Sequence, residues 1–283
     1  MELPNDETLS WIVTHYADFV AKHGEAIGQP ELVLPTGEFF PDEFTFDVQS
    51  IARLFERMLS YAPVSDDLEF GLQFLDGEAS SGGGCGTGGC GTGACSTDGT
   101  PARAAGNMLE TDEGYIAILS TAHVQNPTLL TTSLVRSIGA IVLAEAGEEV
   151  PEADLDLASE IAAVASGFGV LLHQGSYVYG KSCGGARVQK VTQLSVEELA
   201  VALALFLRHH DIKPSHARAH LDTTQREAFD KALEWVDSNE EIVDGLRERP
   251  EEIALGFFEL SPVRGLLGRL FSSGPLLGTA KTR

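Results

Sequence analysis

Between Ser80 and Gly99 glycine is the commonest residue and no bulky apolar side chain occurs. Such a stretch loses much backbone entropy on ordering and has no side chains to bury in return. It is expected to be a flexible loop unless something ties it down, so the core must come from the flanks. Residues 1–79 read as N-terminal helices and short strands of the core, 80–110 as a Gly/Cys-rich loop, 111–260 as a helical core section and 261–283 as a C-terminal tail. The 283 residues suffice for one large domain or two modest ones. Hydrophobic residues at 43% and charged residues at 22% exclude wholesale disorder.

In the first flank, Leu9, Ile12, Tyr16, Phe19 and Val20 recur at helical spacing, which predicts an amphipathic helix from Thr8 to Ala26. Prolines and a glycine break the run from Leu32 to Asp42, which reads as a short strand at Leu32–Thr36 followed by a turn. A second helix is expected over Phe46–Tyr61, with Ile51, Leu54, Phe55, Met58 and Leu59 on its apolar face. Leu68 to Phe74 alternates in the manner of a half-buried strand.

In the second flank, Tyr115–Leu119 reads as a strand. Asn126 suits an N-cap and Pro127 a first helical position. Leu130, Leu134, Ile138 and Ile141 then share a face, and Gly147 ends the helix. Small residues predict a closely packed helix over Leu155–Leu172. After a turn at Lys181–Gly185, Ser195 and Glu198 form a capping box that opens a helix from Val196 to His209. A further helix is expected at Thr223–Asn239, with Phe229, Leu233 and Val236 inward, and the end of the tail is expected to be disordered. The fold class expected is α+β, mainly helical.

Acidic residues number 42 against 19 basic, a net charge of −23. That surface repels phosphates, so a nucleic-acid partner is not expected. No apolar run is read as long enough to cross a bilayer, and the acidic start Met1–Glu7 lacks the regions of a signal peptide. The expected location is the cytoplasm and the expected partner another protein.

Cys85, Cys90 and Cys95 are evenly spaced in the glycine loop, and Cys183 lies in a second glycine turn. Four thiolates could hold zinc or an iron–sulfur cluster, with glycine backbone N–H groups aimed at the sulfurs. The spacing matches no standard zinc knuckle, so a redox loop, a modified peptide and a low-complexity insert stay open beside the metal site. His209 and His210 end a helix, where a cation complements the dipole. His216 and His220, four apart, could share a face, and His173 reads as a capping or packing residue. No P-loop, nucleophile elbow or dinucleotide fingerprint is present in its required context.

The run Asn126-Pro127-Thr128-Leu129-Leu130 and the segment Leu134–Leu143 resemble a group of bacterial zincin-like proteins that carry H-E-x-x-H on this helix. The likeness continues through Glu160–Val164, Gly167–Val170, Leu194–Phe206 and Leu221-Asp222, and takes in Leu34-Pro35-Thr36 and Phe40-Pro41. It spans about two thirds of the chain as a pattern of apolar and turn residues. The resemblance implies a zincin-like core over 111–260, with Asp156 and Glu160 where the family pattern has acidic residues. At the motif positions stand Arg136, Ser137 and Ala140, so both histidine ligands and the general base are missing. A guanidinium stays protonated and cannot ligate a cation. No catalytic residue and no cofactor are expected, and an active metallopeptidase is not. The expectation is a non-catalytic binding or assembly protein, with Arg136 pairing Asp156 or Glu160 across the helices. The rival is a metal or redox protein using Cys85, Cys90, Cys95 and Cys183.

Overall fold

A computed structural model describes residues 2–65, 67–75, 104–105, 107–112, 114–182 and 185–263. Helix α1 (Asp6–Ile27) starts where Asn5 Oδ1 accepts the Thr8 N–H at 2.9 Å. Its buried face is the expected stripe of Leu9, Ile12, Tyr16 and Phe19, with Val20 only partly covered. The strand expected at Leu32–Thr36 does not form. Val33 N–H instead donates to Gly167 O at 3.0 Å as the segment crosses another helix, and among the described residues no strand pairs with it. Helix α2 (Val48–Leu59) is capped by Asp47, which accepts the Ser50 N–H at 2.8 Å.

Strand β1 (Phe70–Leu75) pairs in parallel with β4 (Gly114–Ser120). On the other edge of β4 lies β3 (Met108–Thr111), antiparallel, followed by the two-residue β2 (Ala104–Ala105). The predicted 80–110 loop is thus too long at its end. Residues 104–105 and 108–110 belong to the sheet, anchored by the buried Met108. Along β4, Tyr115, Ala117 and Leu119 point into the core at the period of two that marks a one-sided strand.

After the short α3 (Thr121–Val124) comes α4 (Pro127–Glu145), with Asn126 accepting from Thr128 and Leu129 N–H. This helix is buried from Leu129 to Leu143 almost all round. The single helix expected over Leu155–Leu172 is broken. Helix α5 (Leu155–Ala163) passes into a π-helical turn (Val164–Phe168) and then α6 (Gly169–Gln174). Gly167 sits at φ 97°, and a Cβ there would lie 2.0 Å from Glu31 O, so the crossing backbone at 31–33 imposes the kink.

Either side of the turn read at Lys181–Gly185, β5 (Val178–Ser182) and β6 (Gly185–Gln189) pair antiparallel, and Cys183 and Gly184 between them lie outside the described residues. The capping box forms as expected and opens α7 (Val196–His209), buried from Leu199 to Leu207. Then follow α8 (Pro214–Arg218), α9 (Thr223–Val236), α10 (Glu240–Glu248) and α11 (Pro250–Ala254). The architecture is mainly helical with a minor β component, an α+β fold. Helices α4, α5, α6 and α7 form its centre, with α1 and α9 packed around them and α11 packed on α1.

Two helical stretches, Pro127–Glu145 and Leu155–Gln174, are long and apolar enough to cross a membrane by length and composition. This corrects the expectation that no apolar run reaches that span. Of their most apolar windows, 78% and 83% lie buried against the rest of the chain, as core helices of a folded domain do.

Candidate functional site

Arg136 projects from the middle of α4 and is 5% exposed. A buried guanidinium is costly unless its charge is paired and its N–H groups are bonded. Both conditions are met. Nε donates to Glu160 Oε1 at 2.9 Å, Nη2 to Asp156 Oδ1 at 3.3 Å and Nη1 to Asn107 Oδ1 at 3.4 Å. Helix α5 can supply both carboxylates because it lies close against α4. A Cβ on Gly139 would sit 2.0 Å from Ser159 O, so only glycine admits this approach. The expected pairing of Arg136 with Asp156 or Glu160 is realised with both, and the buried partner is Glu160.

Glu160 does more than neutralise the arginine. Its Oε1 also accepts the Gln193 N–H at 2.7 Å, and Oε2 accepts the Leu194 N–H at 2.9 Å. Burial pushes its carboxyl above the ordinary range, while Arg136 and these two N–H groups pull it back. Gln193 and Leu194 lead directly into the capping box of α7, so one carboxylate joins α4, α5 and the start of α7. Asp156 contributes from the surface, its side chain 44% exposed.

Ser137 Oγ lies 3.1 Å from Asn107 O and 3.3 Å from Ser133 O, both acceptors for its proton. Ala140 is buried and offers only a methyl group. His123 Nδ1 lies 3.3 Å from Ser133 Oγ, and burial first, then the nearby Arg136, lowers its pKa. The structure therefore brings Arg136, Ser137, Asp156 and Glu160 together, with Ala140 one turn along α4. This donor set does not fit zinc. It offers a guanidinium, a hydroxyl and a methyl group where ligands would be, and the buried carboxylate is already occupied by three N–H donors.

The remaining candidates separate. Cys85, Cys90, Cys95 and Cys183 all lie outside the described residues. His216 is exposed on α8, and among the described residues no group of three or more His, Cys, Asp or Glu side chains could hold a metal ion. His173 is fully buried, its Nε2 lying 3.3 Å from Gln225 O, and burial lowers its pKa to about 4. That geometry suits the packing role expected for it. His209 is likewise lowered to about 4, chiefly by burial, and its Nδ1 lies 3.1 Å from the hydroxyl of the buried Tyr16. Burial pushes the Tyr16 phenol far up, so it keeps its proton.

Two features escaped sequence reasoning. Asn107, which meets both Arg136 and Ser137, fell inside the presumed loop. An apolar groove between α2, the first turn of α4 and the segment from Pro35 to Phe46 was also missed, although the aromatic pair Phe44 and Phe46 in a proline-bounded loop was a visible signal. No family model, curated protein or solved structure matches the chain.

Proposed function

We propose that this chain is a non-catalytic, cytoplasmic binding or assembly protein on a zincin-like core without its metal ligands, and that its partner is another protein. The observation that supports this reading is the buried ion pair of Arg136 with Glu160 at 2.9 Å. It stands at the positions where the resemblance has a metal ligand and an acidic residue. A permanent cation there repels Zn²⁺ and occupies the carboxylate that a metal would need. What the pair does instead is join three helical segments within the buried core.

The test rebuilds the motif. In the triple variant Arg136→His, Ser137→Glu, Ala140→His, calorimetric titration should find one tight zinc site that is lost on adding Glu160→Gln, while the parent chain binds no zinc there. Metal-dependent peptide hydrolysis by the parent chain would overturn the reading. So would stoichiometric zinc or iron in protein purified without oxygen, if Cys90→Ser removed it.

A further inference from the structure

The groove between α2, the first turn of α4 and the Pro35–Phe46 segment has a volume of about 490 Å³. Its walls are largely apolar, with Pro35, Phe40, Phe44, Phe46, Leu54 and Leu130 among them. Size and lining fall in the range of small-molecule sites, which pair apolar walls with a few polar groups. Phe44 and Phe46 meet edge to face at 4.8 Å, and Phe46 stays 38% exposed. Phe46 also sits at φ 57°, a left-handed conformation that bulky residues rarely adopt. Such strain persists where the surroundings hold it. Here Thr45 bonds both the Asp47 carboxylate and, at 2.9 Å, the Ser50 hydroxyl.

Two polar groups in the wall are short of partners among the described residues. Thr36 Oγ1 is buried and makes no hydrogen bond. Arg53 donates to Ser50 Oγ at 2.9 Å and, among the described residues, is in direct contact with no carboxylate, though the Asp47 carboxylate acts on it through space. The neighbouring charges are engaged differently. Arg57 grips Asp42 through Nε at 3.1 Å and Nη2 at 2.9 Å, Asp47 caps α2, and Glu43 lies on the rim. In a chain of net charge −23, Arg53 is a cation at the edge of an apolar groove with no carboxylate in direct contact among the described residues, the nearby Asp47 acting on it only through space.

We infer that the groove binds a small amphiphile of the fatty-acid class. Its apolar body lies on Phe40, Phe44, Phe46 and Leu54, Arg53 takes the carboxylate head, and Thr36 Oγ1 supplies a further hydrogen bond. The net charge opposes an anion at long range, so burial of the apolar body provides most of the affinity and Arg53 selects the head group. This inference rests on the binding-protein reading and names a ligand class for it.

The test is calorimetric titration of the full chain with dodecanoate below its micellar concentration, beside dodecyltrimethylammonium, which has the same tail and the opposite charge. Dodecanoate should bind one to one and the ammonium probe at least five-fold more weakly. Because Arg53 is exposed, Arg53→Ala should weaken dodecanoate by roughly three- to five-fold. Phe46→Asn, which tolerates the left-handed backbone, and Leu54→Asp should each weaken it more than ten-fold, with the fold checked by circular dichroism. Equal binding of the two probes, no saturable binding of dodecanoate (as for a groove that takes only a peptide), or undiminished binding by Phe46→Asn would overturn the proposal. Recovering the probe afterwards separates the two readings. Chemical conversion of bound dodecanoate would refute the non-catalytic reading and leave the groove assignment standing, whereas absent binding would remove the groove assignment alone.

Discussion

Arg136 and Arg218 use the same chemistry in opposite surroundings. Arg136 meets Glu160 at 2.9 Å with the two side chains 6% and 0% exposed. Arg218 meets Asp230 through two bonds, 2.8 and 2.9 Å long, with side chains 49% and 43% exposed. By geometry alone the surface pair is the better one. Water reverses the ranking of what each loss would cost, because a solvated partner left alone is rehydrated and a buried one is not. The buried pair is therefore a commitment of the fold: either member alone is a stranded charge.

The largest expected effect tests that commitment. Arg136→Ala should cost about 3–5 kcal/mol in urea unfolding, since it strands the Glu160 carboxylate in the interior. The paired replacement Arg136→Met with Glu160→Gln, which removes both charges and keeps a side-chain oxygen to accept from the Gln193 and Leu194 N–H groups, should recover part of that loss. If the single variant were as stable as the parent, the buried pair would be no different in kind from the surface one.

A smaller effect concerns a buried polar group that stays neutral. Burial holds the His173 pKa at about 4 in the folded chain against an ordinary 6.5. The unfolded chain therefore takes up the proton first. The contribution is fully present above pH 6.5 and is lost as pH falls from 6.5 towards 4, up to about 3 kcal/mol for a shift of that size. In His173→Gln, that part of the pH dependence between 6.5 and 4 should disappear from the difference in unfolding free energy. Identical slopes in the two proteins would mean that His173 is hydrated. The smallest effect belongs to the surface: Arg218→Ala should cost less than about 1 kcal/mol, and less still at high salt. A larger loss there would erase the contrast.

Much of the helical framework was legible because its signals are local. Asn126 and the Ser195–Glu198 box act within three residues of themselves, and each caps the helix found there. The stripe of α1 and the inward faces of α2 and α9 follow from spacing in the same way. What failed depended on a distant neighbour. The break at Gly167 exists because residues 31–33 cross it, and the strand expected at Leu32–Thr36 is missing because that segment bonds to the helix it crosses and, among the described residues, has no strand to pair with. The hairpin of β5 and β6 carried mainly a turn signal. Of the candidate site, the arginine and its two carboxylates were legible; Asn107 and the Gln193 and Leu194 N–H groups were not.

By itself the sequence settled that α4 presents a guanidinium, a hydroxyl and a methyl group at positions 136, 137 and 140, and that a carboxylate stands on the following helix. Ligand chemistry is a property of side chains, and no packing alters it. Only the tertiary structure decided that Glu160 is the buried partner, Asp156 the solvent-exposed one, and that the same carboxylate anchors the start of α7. That choice turns on how closely α4 and α5 approach at Gly139, a distance between helices that no local pattern encodes.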